Sequence, residues 1–234
     1  MSRVNTYKGF TLVELMLAMT FISILLVGIA ITTIQISRIY NKGITLREVN
    51  QSGRAVADEL QRTIASSTPF DADPASPTSR YIVRPGGGRL CVGRYSYTWN
   101  YGSAIAGGSG APAVFTRYQD NNDPVRFAKV DDPSASLCQD PNLRVNRGLA
   151  TEMLSAGDRD LVVHAFTVTR GSSDLDIGQA LYAISMTIGT NDQQQLVTND
   201  SACKPPAQGV GNEDYCAVNQ FDIVARAGNK SEGE

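Results

Sequence analysis

The chain has 234 residues, a formal net charge of −2 from 21 basic and 23 acidic side chains, and 42% apolar residues. That length allows one ordinary domain with an appendage, or two small domains. The absence of a basic excess gives no indication of a nucleic-acid partner, and the averages exclude collagen, wholesale disorder and a multi-span transporter.

The apolar residues are unevenly spread, with 19 in the 27 positions from 10 to 36. Glu14 is the only charge between Phe10 and Ser37, and the 20 residues Leu15–Ile34 carry none. At about 1.5 Å per residue such a run crosses the roughly 30 Å hydrocarbon core of a bilayer. A helix is the form it takes there, because lipid satisfies no backbone polar group. A cleaved secretory signal has a shorter apolar core, about 7 to 15 residues, closed by a small-residue site; no such site closes this run. Arg3 and Lys8 precede it and Arg38 and Lys42 follow it, so the flanking charges are nearly balanced.

Residues 8–14 read Lys-Gly-Phe-Thr-Leu-Val-Glu and are followed by Leu15 and Met16. This resembles the amino terminus of type IV prepilins and type II secretion pseudopilins: a short basic leader, Gly-Phe-Thr-Leu-[Ile/Val]-Glu, then a long apolar stretch. The resemblance implies cleavage between Gly9 and Phe10 by a prepilin peptidase on the cytoplasmic side, followed by N-methylation of Phe10. Gly9 has no side chain to obstruct an extended backbone in a protease cleft. Loss of Arg3 and Lys8 leaves 19 basic and 23 acidic side chains, a net charge of −4.

A carboxylate well inside a bilayer costs about 2.5 to 3.5 kcal/mol and is functional by default. The partner implied for Glu14 is the amine of Phe10 in a neighbouring subunit, an ion pair that sets register in a dry filament core, where losing one partner is expensive. The alternative is a Glu14 that lies near the interface and snorkels to the headgroups.

The first proline is Pro69, so nothing from Phe10 to Thr68 forbids one continuous helix of 59 residues. Gly28, Gly43 and Gly53 each weaken it by about 1 kcal/mol relative to alanine. Past residue 36 the pattern turns amphipathic: Leu46, Val49, Gly53, Val56, Leu60 and Thr63 or Ile64 recur at spacings of three and four. That face packs on the chain's own head or, alternatively, on a partner coiled coil.

Pro69, Pro74 and Pro77 end the helix in loop chemistry. Residues 86–110 contain eight glycines without a phosphate-loop pattern and read as a surface loop. The strand candidates are Arg80–Arg84, Leu90–Asn100, Ala113–Tyr118, Val125–Val130, Leu161–Arg170, Gln179–Gly189 and Gln220–Arg226. Alternation is clearest in Leu161–Arg170 and Gln179–Gly189, which form a hairpin. The fold class is α+β, pilin-like: one long amino-terminal helix packed on an antiparallel sheet. The expected divisions are a leader (1–9), a transmembrane or filament-core helix (10–36), its amphipathic continuation (37–68) and an exported β-rich head (69–234).

Cys91, Cys138, Cys203 and Cys216 all lie in the expected head, and an even number in an exported domain reads as two disulfides. Three connectivities are open. Cys203–Cys216, closing a short Pro/Gly-containing loop, together with Cys91–Cys138, is favoured. Zinc is disfavoured, because there is no C-x-x-C and His164 is the only histidine. His164 reads as a sheet residue, and no nucleophile motif accompanies it. Asp120-Asn121-Asn122-Asp123 and Asp131-Asp132-Pro133 read as turns first; no cofactor is expected, and calcium on loop oxygens is the weaker reading.

The helix ending at Ala57–Arg62, the large insert and the late hairpin resemble minor pilins and pseudopilins of the PilW and PulJ type. The resemblance implies a non-enzymatic minor pilin of a type IV pilus or related filament, serving adhesion, twitching motility or DNA uptake. Its implied partners are prepilin peptidase, other pilin subunits, an inner-membrane platform protein, an assembly ATPase and, before assembly, membrane lipid. The implied location is single-pass in the cytoplasmic membrane with the amino terminus inside, then an extracellular pilus or a periplasm-spanning pseudopilus. The alternatives are a type II secretion minor pseudopilin, or a tethered adhesin that reads its target through loops such as 86–110.

Overall fold

The computed structural model describes residue 9 and residues 11–154, 159–174, 178–197, 202–205 and 215–228. The apolar run and its amphipathic continuation form one helix, α1 (Leu12–Ala65), of 54 residues. It stops short of Thr68: the N–H groups of Ser66 and Ser67 bond back to the carbonyls of Arg62 (3.1 Å) and Ile64 (3.0 Å), closing the last turn. The chain divides into two compact units, Met1–Asn41 and Lys42–Glu234.

In the second unit α1 buries Thr45, Val49, Gly53, Val56, Ala57, Leu60, Thr63 and Ile64. Leu46 does not belong to this face. It is 39% exposed, whereas Thr45 is fully buried. Only one of two adjacent positions can stand directly above Val49, and the i−4 residue takes it. Each large apolar side chain fully buried here contributes about 1.5 to 3 kcal/mol.

Five strands form an antiparallel meander in sequence order: β1 (Tyr81–Arg84), β2 (Gly87–Val92), β3 (Tyr95–Asn100), β4 (Phe127–Asp131) and β5 (Ala150–Glu152). The segment Leu90–Asn100 is therefore two strands rather than one. Val92 pairs with Tyr95 across Gly93-Arg94, and Gly93 adopts φ +57°, the conformation a two-residue hairpin turn demands. The glycine-rich stretch is not a surface loop at its start. Gly87 and Gly88 are buried in β2, where a β-carbon on Gly88 would press into the Trp99 ring.

Ala113–Tyr118 is not a laddered strand. The Asn100 side chain clamps its middle: Nδ2 donates to the carbonyls of Thr116 (2.7 Å) and Val125 (2.6 Å), while Oδ1 accepts from the N–H groups of Phe115 (2.7 Å) and Thr116 (2.9 Å), and only isolated bridges follow at Arg117 and Tyr118. Two short helices also interrupt the connections, α2 (Gly102–Ala106) and α3 (Ser136–Gln139).

A second antiparallel sheet has the order β6 (Leu161–Asp174), β7 (Gln179–Thr190) and β8 (Val218–Ala227). Along β7, Tyr182, Ile184, Met186 and Ile188 are buried while alternate residues face outward. Trp99 of β3 lies 4.2 Å from Phe166 of β6 and 6.1 Å from Phe127 of β4, ring centre to ring centre. These rings join Val49, Val56, Leu60 and Ile64 in one hydrophobic core. Polar ties reinforce it: the Thr63 and Tyr97 hydroxyls are 2.6 Å apart, and Lys129 Nζ is 2.6 Å from Glu59. The architecture is α+β, a long amino-terminal helix with antiparallel sheets.

Candidate functional site at the amino terminus

Gly9 is exposed and lies outside any helix or strand; Phe10 and residues 1–8 fall outside the described residues. Glu14 sits in the first turn of α1. Its carboxylate is not bare. Thr11 donates to Glu14 Oε2 from its N–H (3.0 Å) and its hydroxyl (2.9 Å), and Glu14 N–H donates back to Thr11 Oγ1 (3.3 Å). Thr11 also supplies the first helical carbonyl, accepting from Leu15 N–H at 3.2 Å. This is a reciprocal capping box, and the spacing Thr-x-x-Glu is its one signal in the sequence. Charge marks the acid in this motif but not its partner three residues earlier. Both Thr11 bonds fall on Oε2.

From Leu12 to Tyr40 the side chains of α1 are exposed, among them Leu12 (74%), Phe21 (66%) and Ile36 (65%). By length and composition this helix is able to cross a membrane. Its hydroxyls bond to their own helix: Thr20 to the Leu17 carbonyl (2.9 Å), Ser23 to Met19 (2.8 Å), Thr32 to Gly28 (2.5 Å) and Thr33 to Ile29 (2.9 Å).

In the head, Cys91 is bonded to Cys138, joining β2 to α3, and Cys203 is bonded to Cys216. Two residues before Cys91, the fully buried Arg89 donates to the carbonyls of Leu137 (2.6 Å), Asp140 (2.9 Å) and Leu143 (2.5 Å) and to Thr116 Oγ1 (3.2 Å). Burial pushes its guanidinium down to about 10, against the pull of Asp140 and Asp132. No local sequence pattern announces this residue, because the carbonyls it holds lie about fifty positions away.

The two acidic turns are occupied by the chain's own groups. Arg147 Nε lies 2.9 Å from Asp120, and its Nη2 lies 3.1 Å from Asn121 Oδ1 and 3.6 Å from Asp123. The guanidinium stands where the sequence allows a calcium ion. Asp132 accepts from Ser96 Oγ (2.8 Å) and from the N–H groups of Ser136 (2.9 Å) and Leu137 (3.0 Å). Burial pushes its carboxyl up, but these donors outweigh it and hold the group below the usual carboxylate range. Among the described residues no group of three or more His, Cys, Asp or Glu is placed to hold a metal ion.

His164 sits in β6 where the ladder with β7 shifts register between Val163 and Ala165, and its Nε2 is 3.1 Å from the Thr190 carbonyl. It borders an apolar hollow of about 480 Å³ with Tyr81, Tyr101 and Phe166, whose lining holds no carboxylate or thiol.

Residues 4–33 match the prokaryotic N-terminal methylation motif. No curated protein and no solved structure matches the chain. The chain thus carries the amino terminus of a type IV pilin-like or pseudopilin precursor, the kind of chain that prepilin peptidase processes.

Proposed function

We propose that the chain is a non-catalytic minor pilin of a type IV pilus or related filament, inserted with its amino terminus inside and its head outside. Prepilin peptidase hydrolyses the Gly9–Phe10 amide: water adds, the C–N bond breaks, Gly9 leaves as a carboxylate, and the new Phe10 amine then takes a methyl group from a sulfonium methyl donor, which departs as a thioether while the nitrogen loses a proton. Phe10–Ile36 packs among other subunits. Glu14 Oε1 meets the neighbour's Phe10 amine, and the head supplies specificity. The observation that carries this reading is the methylation motif heading an apolar stretch of α1 whose side chains are exposed from Leu12 to Tyr40.

Glu14→Ala tests it. The processed chain is expected to fail to enter sheared fibres while its head stays oxidised and protease-resistant. Normal incorporation of Glu14→Ala would remove the register role. Immunogold labelling of fibres, scored for tip against shaft, separates a priming subunit from a shaft subunit, and labelling confined to the cell envelope would favour a pseudopilin.

A further inference from the structure

Glu14 and Thr11 hold each other by three hydrogen bonds, and α1 starts at Leu12. We infer that Thr11 is a positioning residue for processing: its hydroxyl starts the helix at Leu12 and thereby keeps Gly9, on the acyl side of the scissile bond, out of it. This rests on the reading of the chain as a prepilin peptidase substrate.

A protease cleft takes its substrate extended, because a helical peptide group is turned inward and bonded to the next turn. A helix started by an uncapped residue has no fixed beginning; it frays or runs on upstream. Here the sequence upstream offers Tyr7 and Lys8, both compatible with a helix. Thr11 blocks that extension. Its Oγ1 accepts from Glu14 N–H, and its carbonyl accepts from Leu15 N–H at 3.2 Å, so it sits at the cap position, whose backbone is typically non-helical. Gly9, exposed and outside any helix, lies two residues before that cap. The surroundings sharpen the effect. At the edge of a bilayer an orphaned helical N–H has fewer waters to turn to.

The two halves of the reciprocal pair have separable consequences. The carboxylate of Glu14 is needed for the bond from Thr11 N–H, whereas the helix-ending bond runs from Glu14 N–H to the Thr11 hydroxyl and needs no acid. Glu14→Ala leaves that bond in place. Thr11→Val keeps the shape of the side chain and removes it.

The test is a cleavage time course of the full-length chain in membranes containing prepilin peptidase. Thr11→Val is expected to lower kcat/KM for cleavage by about three- to tenfold, the range a lost cap allows. Thr11→Ser restores the rate. Amide exchange at residue 14, whose N–H loses its acceptor, rises in Thr11→Val alone. If the unchanged chain keeps its full size, the processing reading fails and this inference falls with it. If the unchanged chain is cut and Thr11→Val is cut at the same rate, the inference alone is overturned. It is overturned equally if Thr11→Ser is as slow as Thr11→Val.

Discussion

Gly53 of α1 lies directly beneath the ring of Phe221 in β8, so close that a β-carbon on Gly53 would overlap the ring. In sequence this glycine reads as a weak point in a helix. In the fold it is where helix and sheet approach closely. Gly53→Ala is therefore expected to lose stability, by about 1 to 3 kcal/mol from overpacking, against a gain of about 1 kcal/mol in helix propensity. Gly43→Ala meets nothing within 4 Å and is expected to be neutral or to gain up to about 1 kcal/mol. Denaturant unfolding of the two variants side by side checks the opposite signs.

The buried Arg89 binds α3 and the connection after it through three carbonyls, one in the helix (Leu137) and two beyond it (Asp140 and Leu143). Arg89→Met keeps the bulk and leaves those acceptors without their donor. The expected loss is about 3 kcal/mol, since each orphaned buried polar group costs about 1 to 3 kcal/mol and part is recovered by water. Amide exchange is expected to rise first in residues 134–145. Unchanged protection there would show that the carbonyls are held by something other than Arg89.

Glu59 fixes the pH response of the helix–sheet contact. The hydrogen bond from Lys129 holds its carboxyl below the usual value of 4.5, with burial opposing and Thr63 assisting. Because the folded group releases its proton more readily than the unfolded one, its stabilisation is present above about pH 4.5 and fades as pH falls through the lowered value. Glu59→Gln is expected to cost about 1 kcal/mol at pH 7 and to converge with the unchanged protein near pH 2. Unfolding midpoints across that range read the difference directly.

The two disulfides close loops of unequal length, with sequence separations of 47 and 13. On chain-entropy grounds, replacing Cys91 and Cys138 by serine is expected to lose about 4 kcal/mol, and replacing Cys203 and Cys216 about 3 kcal/mol. Thermal unfolding of the two paired variants gives the ranking.

Legibility in the sequence depends on the distance over which each structural choice is made. The helix follows from a local rule, a 3.6-residue period and no proline before Pro69, so α1 is readable within a few residues. The β6–β7 hairpin shows itself through alternation in Leu161–Arg170 and Gln179–Gly189. Gly87 and Gly88 read as loop because glycine in a strand is justified only by what approaches it, here Trp99 from the adjacent strand. Ala113–Tyr118 carries strand composition, yet it is held by the Asn100 side chain and two isolated bridges rather than a ladder, partners that periodicity cannot reveal. At the amino terminus the residues that matter are contiguous, and even there Thr11 is hidden beside the charge of Glu14, since threonine is ordinary in any motif until its cap geometry is seen.

The four hydroxyls of the uncharged run Leu15–Ile34, Thr20, Ser23, Thr32 and Thr33, are each tied to a carbonyl of their own helix. Outwardly the segment therefore presents hydrocarbon and little else beyond Glu14. Such a rod can exchange lipid tails for protein side chains as its neighbours without breaking a single one of those bonds. Such an exchange would leave its internal wiring untouched, and the polar side chains that would have to find new correspondents are Glu14 near its tip and Gln35 at its far end.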